Sequence, residues 1–364
     1  MTCCSDAERA RAVRNALLPW FDAHRRDLPW RRNRTPYRVW LSELMLQQTR
    51  VEQAIPYFRR FMRRFPSVRR LATASLQDVL KAWEGLGYYR RARHVHQAAQ
   101  IIQTRHNGRF PDRYEDIKAL PGIGSYTAAA IASLAFGQDY AVVDGNVKRV
   151  VARWYALPDD VKSATGAKRV QTLANRLLVP GDAARYNEAV MELGATVCLP
   201  RNPLCEKCPM RGVCIAYARG QVDCYPKIMP AKKVPHKLVG AAVVFNKRGE
   251  VLIAQRRAQA MLGGLWEFPG GSLEPGETME ACIAREWKEE LGVDLDVNKE
   301  PLMVVRHAYS HFTIALHVHT ARLVRGRPRP LQCDAIAWAP VHRLREYPFS
   351  RADLYVVEKL KNHL

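Results

Sequence analysis

The chain has 364 residues, 48% of them hydrophobic, and a formal net charge of +22. That length allows two or three domains with their own cores, in the composition of a globular protein. No apolar run approaches a membrane span, and the opening MTCCSDAERARAVRN has no apolar centre to serve as a secretory signal, so membrane-spanning and exported classes are not expected. Nine cysteines in such a chain point to a reducing, cytoplasmic setting, where metal binding outranks disulfides. The charge is uneven. Of 57 Lys/Arg and 35 Asp/Glu, residues 238–364 carry only 17 and 15, which leaves 40 and 20 in residues 1–237. A basic part joined to a near-neutral one suggests a polyanion-binding half, although a solvated basic face would read the same way.

Residues 6–220 read as successive helices. Apolar positions recur at helical spacing in AERARAVRNALLPWFDAH, YRVWLSELMLQQTRVEQAIPYFRRFMRRF, LQDVLKAWEGLG, RRARHVHQAAQIIQTRH, YTAAAIASLAF, NVKRVVARWYAL and YNEAVMELGATVC. Breakers such as FPS, GLGYY, NGRFP and LPGIG separate them. The Pro- and Lys-containing stretch 221–237 has no periodicity and reads as a linker. Residues 238–364 change texture. LVGAAVVFN, EVLIAQRR, LMVVRHAYS, FTIALHVHTARLV and AIAWAP are strand-like, while ETMEACIAREWKEELG and FSRADLYVVEKL are helical, which makes an α+β or α/β domain. The expected fold is therefore multi-domain, all-α over 1–220 and mixed over 238–364.

Four motifs in the helical half carry chemistry. Cys198, Cys205, Cys208 and Cys214 lie in one loop, with gaps of six, two and five residues. A zinc site usually pairs two short hooks across a longer gap, whereas a single run of four thiolates fits an iron–sulfur cubane. Zinc, a disulfide pair and buried structural cysteines are the alternatives. LPGIG, residues 120–124, opens the helical SYTAAAIASLAF; its glycines, Gly122 and Gly124, leave backbone N–H groups uncovered at a helix start, where a phosphate can bind. A plain helix–helix connection would look alike. Asp144 in VVDGNVKR is a carboxylate that could be a simple helix N-cap. Glu43 in WLSELMLQQTRV has apolar neighbours, Leu41, Leu44 and Leu46, that suggest an interior position; a surface glutamate is the plainer possibility.

The cysteine spacing resembles the 4Fe–4S loop of the endonuclease III and MutY family of DNA base-excision glycosylases. LPGIG then resembles the family's helix-hairpin-helix, and VVDGNVKR its catalytic Asp segment. LSELMLQQT resembles the MutY segment that carries a general acid. The resemblance implies an all-α helix-hairpin-helix domain with a cluster loop at 198–214. It also implies Glu43 as the acid, Asp144 as stabiliser of the sugar cation, and Tyr126 and Asn146 as assistants. Tyr126 occupies the position where bifunctional relatives carry a Schiff-base lysine. A tyrosine cannot form an imine, so excision without strand cleavage is expected. By the same resemblance Trp30, Arg31, Leu46, Val51, Glu188 and Met191 would line an adenine pocket, and Gln48 and Thr49 would face the opposite base. GLGYYRRAR would be a DNA-facing loop with Leu86 and the wedge Tyr88. Core packing is the plainer possibility for the apolar residues among these.

GGLWEFPGGSLEPGETMEACIAREWKEELGV holds a complete Nudix pattern, from Gly271 and Glu277 through Arg285 and Glu286 to Glu289, Glu290 and Gly292, with Trp287 as an aromatic departure. In Nudix hydrolases such glutamates hold Mg²⁺ at a diphosphate. Tyr309, Ser310 and His311 resemble the Phe-Ser-His lesion loop of MutY C-terminal domains, with Tyr for Phe and Thr313 where a second His is common. The implied activity is monofunctional removal of adenine opposite 8-oxoguanine or guanine in double-stranded DNA, by a nucleoid-associated monomer. The alternatives are an active (8-oxo-)dGTP diphosphohydrolase in the C-terminal domain, with Mg²⁺ at Glu286, Glu289 and Glu290, and a lesion-binding protein without excision. Cys3, Cys4, Cys224, Cys282 and Cys333 receive no role.

Overall fold

The computed structural model describes residues 5–229, 234–309 and 311–362. By internal contacts the chain forms two compact units, Met1–Met62 with Ser67–Arg69 and Ala98–Ala231, and Arg63–Pro66 with Arg70–Gln97 and Lys232–Leu364. Residues 70–97, expected with the helical domain, group with the C-terminal part. Among the described residues no helix is long and apolar enough to cross a membrane.

The first unit is helical. Asp6–Ala12 begins with Ser5 and Glu8 bonded reciprocally, a capping box that satisfies two otherwise unpaired N–H groups. Gly145–Tyr155, Ala164–Leu177 and Ala183–Thr196 pack their apolar stripes into one core with Leu17, Phe21, Trp154, Tyr186 and Leu193. Gly194 allows the tightest approach there. A Cβ on it would lie 2.6 Å from that of Asn146, so the helix carrying Asn146 could not sit so close beside any other residue. Ser125–Phe136 is apolar all round and buried from Thr127 to Ser133, the pattern of a central helix. It follows Gly122, whose φ of +76° needs glycine. Gly124 is different: a Cβ there would meet nothing within 4 Å, so its outer face is open. The expected linker is partly built onto this unit, where Val161 N–H donates to Lys227 O and Met229 N–H to Asp160.

The second unit holds two sheets. β1 (His236–Val244), β4 (Gly270–Ser272), β5 (Asp294–Ala308) and β6 (Thr313–Arg325) form one, in the order β4-β1-β6-β5. β2 (Glu250–Gln255), β3 (Trp266–Glu267) and β7 (Ala335–Pro340) form the other. β1 and β6 run parallel and β1 is covered on both faces. Ala241 and Val243 enter one core, Ala242 and Val244 the other, as period-two alternation requires. Helix Met279–Leu291 covers the second of these faces. Trp287, the departure from the Nudix pattern, is fully buried there and donates its indole N–H to Pro269 O at 2.9 Å. The helix Leu76–Trp83 belongs to this unit because its polar side chains bond the sheet domain: Gln77 Nε2 donates to Gly264 O and Gln77 Oε1 accepts from the Trp266 indole.

Candidate functional site

A cavity of about 600 Å³ opens in the helical unit. Glu43 enters it from the helix Pro36–Leu46, Tyr126 from the first turn of Ser125–Phe136, Asp144 from the start of Gly145–Tyr155, and Glu188 and Met191 from Ala183–Thr196. Trp30, Arg31, Leu46, Gln48, Thr49, Val51 and Asn146 complete the predicted part of its wall. The plainer alternatives hold in part for some of these. Trp30 also packs edge-on against Phe58 at 5.4 Å, and Met191 also packs against two apolar cores. Gln48, exposed at the cavity mouth, has φ +57°, a conformation uncommon outside glycine.

The carboxylates differ in surroundings. Glu43 is 6% exposed, and Tyr126 donates its hydroxyl to Glu43 Oε2 at 2.6 Å. Burial, reinforced by the charges of Asp144 and Glu188, pushes Glu43 up to about 7, against the bond from Tyr126 and the charge of Arg31. Asp144 is an N-cap after all. Its Oδ1 accepts from Val147 N–H at 2.7 Å and its Oδ2 from Asn146 Nδ2 at 3.0 Å. Burial raises it as well, but these donors oppose the rise and favour its anion. The cavity thus pairs a carboxyl that keeps its proton to near neutrality with a carboxylate held by fixed donors. Such a pair can protonate a leaving group and face a developing cation.

Three residues that the sequence left unmarked, Arg26, Arg34 and Glu192, support this wall together with Arg31 and Glu188. Arg26 and Arg31 both bond the buried Glu192, and Arg31 and Arg34 pair with Glu188. Burial alone would raise Glu192, but the arginines outweigh it and hold the acid below its ordinary value. The RRNR run after Trp30 was the available signal. Arg149 is the other omission. It donates to Asn146 Oδ1 at 2.9 Å, Gly194 O at 2.7 Å and Cys198 O at 2.8 Å, so one side chain fixes the partner of Asp144 and the first cysteine of the loop. Arg149→Leu is expected to slow turnover at this site roughly tenfold by loosening Asn146. Single-turnover kinetics check it; an unchanged rate would remove Arg149 from the site.

Cys198, Cys205, Cys208 and Cys214 are all free thiols and line one cavity of about 20 Å³. Among the described residues no three Cys, His, Asp or Glu side chains gather as they would around a single ion. The four cysteines nonetheless line one pocket, so a single centre could draw on all of them. Arg153, 1% exposed, donates to Cys198 Sγ at 3.3 Å and to Leu199 O at 2.7 Å, placing a buried positive charge beside the cysteine sulfurs. Burial pushes Cys208 up to about 12 and Cys214 to about 11, so the bare loop holds neutral thiols that a metal must deprotonate on binding.

In the second unit Tyr88 is 40% exposed with φ +50°, whereas Leu86, expected on the DNA-facing side, is buried. Tyr309 N–H donates to Phe312 O at 2.8 Å, closing a turn on which His311 is exposed. Ser310, Cys3 and Cys4 lie outside the described residues. Arg285 forms a two-bond pair with Glu277 and bonds Glu286 at 2.9 Å. A Cβ on Gly271 would lie 2.1 Å from the Glu286 carboxyl, so any other residue there would have to displace that carboxyl. Burial and the charge of Glu286 push Glu290 up to about 7, while Glu289 is exposed.

Residues 41–180 match the HhH-GPD superfamily of base excision DNA repair proteins, 198–214 the iron-sulfur binding domain of endonuclease III, and 240–359 the NUDIX domain. The chain therefore carries an iron–sulfur binding segment. The adenine DNA glycosylase of Mus musculus is 35% identical over 371 residues, covering 88% of this chain and 72% of its own. That of Buchnera aphidicola from Acyrthosiphon pisum is 34% identical, covering 84% and 85%. Among solved structures, a thermostable thymine-DNA glycosylase superposes with a TM-score of 0.54 at 28% identity, over 58% of this chain and 98% of its own. From cysteine loop to paired carboxylates, and across both halves, the chain belongs to the adenine DNA glycosylase family.

Proposed function

We propose that the protein removes adenine paired with 8-oxoguanine or guanine in duplex DNA, by N-glycosidic hydrolysis without strand cleavage. The observation that carries this reading is Glu43 beside Tyr126 and Asp144 in one cavity of base-accommodating size. The basic helical unit holds the duplex by its phosphates, with the open face of Gly124 at a helix start. Tyr88 and Gln48 help to open the stack, and adenine swings out of the duplex into the cavity. Glu43 gives its proton to the base, at N7. The glycosidic bond breaks, and Asp144, fixed by Asn146 and Val147, stabilises the sugar cation. Glu43, now ionised, guides water to that carbon and takes its proton, which restores the acid. No lysine stands at position 126, so no imine forms and the strand survives. His311 and its neighbours contact the oxidised guanine.

The cysteine loop holds a 4Fe–4S cluster through Cys198, Cys205, Cys208 and Cys214. When bound, the cluster supplies a structural anchor for the basic segment that contains Arg201, Lys207 and Arg211.

The substrate assignment is tested by free-base release from duplexes with A opposite 8-oxoguanine, A opposite G, A opposite T, and T opposite G. Adenine should appear from the first two only. Thymine release, or adenine release from A opposite T at the same rate, would contradict it.

A second reading gives the C-terminal domain a hydrolase activity. It is favoured by the crowding of acids there: burial, with the charges of Glu290 and Glu286 added, raises Glu267, and burial with the charge of Glu286 raises Glu290, a repulsion that a divalent cation would relieve. Glu286, Glu289 and Glu290, which do not converge on one point in the structure, would have to close around Mg²⁺ to hold it. Hydrolysis of 8-oxo-dGTP that depends on Mg²⁺ and disappears in Glu290→Gln would establish it; none under those conditions would dismiss it.

A further inference from the structure

The loop that carries Tyr88 is built from two directions. From the helices on either side of it, Leu76–Trp83 and Arg90–Arg105, Trp83 Nε1 and Arg91 Nη2 both donate to Gly87 O, at 3.1 and 3.2 Å, and the Arg91 guanidinium lies 5.0 Å from the centre of the Tyr88 ring. Gly85 and Gly87 have φ of +89° and +77° and Tyr88 +50°, so three residues of this loop occupy the left-handed region. Such a backbone keeps one shape only if its surroundings fix it.

The second set of bonds comes from the sheet domain, within the same compact unit. Tyr89 is 4% exposed. Its hydroxyl accepts from Gly85 N–H at 3.0 Å and donates to Phe349 O at 3.1 Å. Glu84 Oε1 accepts from Phe349 N–H at 2.9 Å, and its other oxygen pairs with Lys81, which also donates to Tyr347 O at 3.0 Å. Both main-chain polar groups of Phe349 are therefore held by residues flanking the glycine loop. The anchor itself is rigid: Phe349 is fully buried and stacked on Phe268, and Pro348 O accepts from Trp266 N–H at 2.9 Å.

We propose that Tyr89 and Glu84 are positioning residues for duplex opening, clamping the glycine loop to the Tyr347–Phe349 segment so that the C-terminal domain sets the pose of Tyr88. The inference rests on the reading above that Tyr88 enters the duplex. It gives the C-terminal domain a role in opening the helix that is separate from lesion contact and from nucleotide hydrolysis.

The test is a double-mutant cycle in single-turnover adenine release from A opposite 8-oxoguanine. Tyr89→Phe and Glu84→Ala should each slow release roughly tenfold, as loss of a buried alignment bond would. Tyr88→Ala should slow it at least as much. Adding either change to Tyr88→Ala should cost nothing further, because both act through that ring. Fluorescence of 2-aminopurine placed next to the target adenine should fall with the rate. A general loss of stability would instead add to the effect of Tyr88→Ala. Additive losses, or Tyr89→Phe at the wild-type rate, would overturn this inference alone. No adenine release by the wild type would overturn the reading beneath it, and this inference with it.

Discussion

Glu43→Gln is expected to lower adenine release by roughly a thousandfold and to leave duplex binding intact, since it removes the proton donor but keeps size and polarity. The pH dependence follows from the same residue. Glu43 is protonated below about 7 and Asp144 must be ionised, so the single-turnover rate should fall above pH 7 and fall again in acid as Asp144 takes a proton. Stability supplies an independent check. Unfolded, the carboxyl releases its proton near 4.5; folded, it keeps it to about 7. Its contribution is therefore fully present below about 4.5 and is lost as pH rises through 7, a difference on the order of 3 kcal/mol. Glu43→Gln should then melt higher than the wild type near pH 8, and its advantage should shrink near pH 5. An active, unstabilised Glu43→Gln protein would remove Glu43 from its role.

Cys208→Ser should abolish iron binding and lower the melting temperature by more than about 10 °C, because a hydroxyl is a poor ligand for iron–sulfur centres and metal binding is coupled to folding. The loop is not an appendage. Met210, between Cys208 and Cys214, is fully buried in the core that contains Leu193 and Trp154, and Cys198, Cys208 and Cys214 pack against the same core. Losing the centre should loosen the floor beneath Arg149 and Asn146 and reduce excision together with stability. Iron content, calorimetry and single-turnover kinetics on one preparation check this. A variant without iron that melts and turns over like the wild type would make the loop dispensable.

Much of this was legible in the sequence because local chemistry and tertiary position agree. The cysteine spacing, the glycine turn at 120–124 and the Nudix pattern are short-range features, and short-range features survive without a fold. The helical half and the mixed half were separable for the same reason: their periodicities differ. Three things were not legible. Arg149 looks like any surface arginine on the amphipathic helix Gly145–Tyr155; Asn146 is one turn away on that helix, but only folding brings the side chain to Gly194 and Cys198. The pairing of Arg26 and Arg31 with Glu192 spans more than 160 residues. The attachment of residues 70–97 to the sheet domain depends on bonds such as Tyr89 to Phe349, which no periodicity announces. The two short strands β3 and β4 were missed because Trp-Glu and Gly-Gly-Ser are too brief to alternate. Asp144 shows a further limit. Its cap and its chemistry are not alternatives, because the N–H groups that make it a cap also favour its anion.

The most direct measurement is single-turnover reaction of the purified protein with a duplex holding adenine opposite 8-oxoguanine, read on denaturing gels with and without hot alkali. The account predicts strand breaks only after alkali, at a rate that Glu43→Gln abolishes. Breaks without alkali would contradict the assignment of Tyr126, and no abasic product at all would contradict the assignment of Glu43 and Asp144.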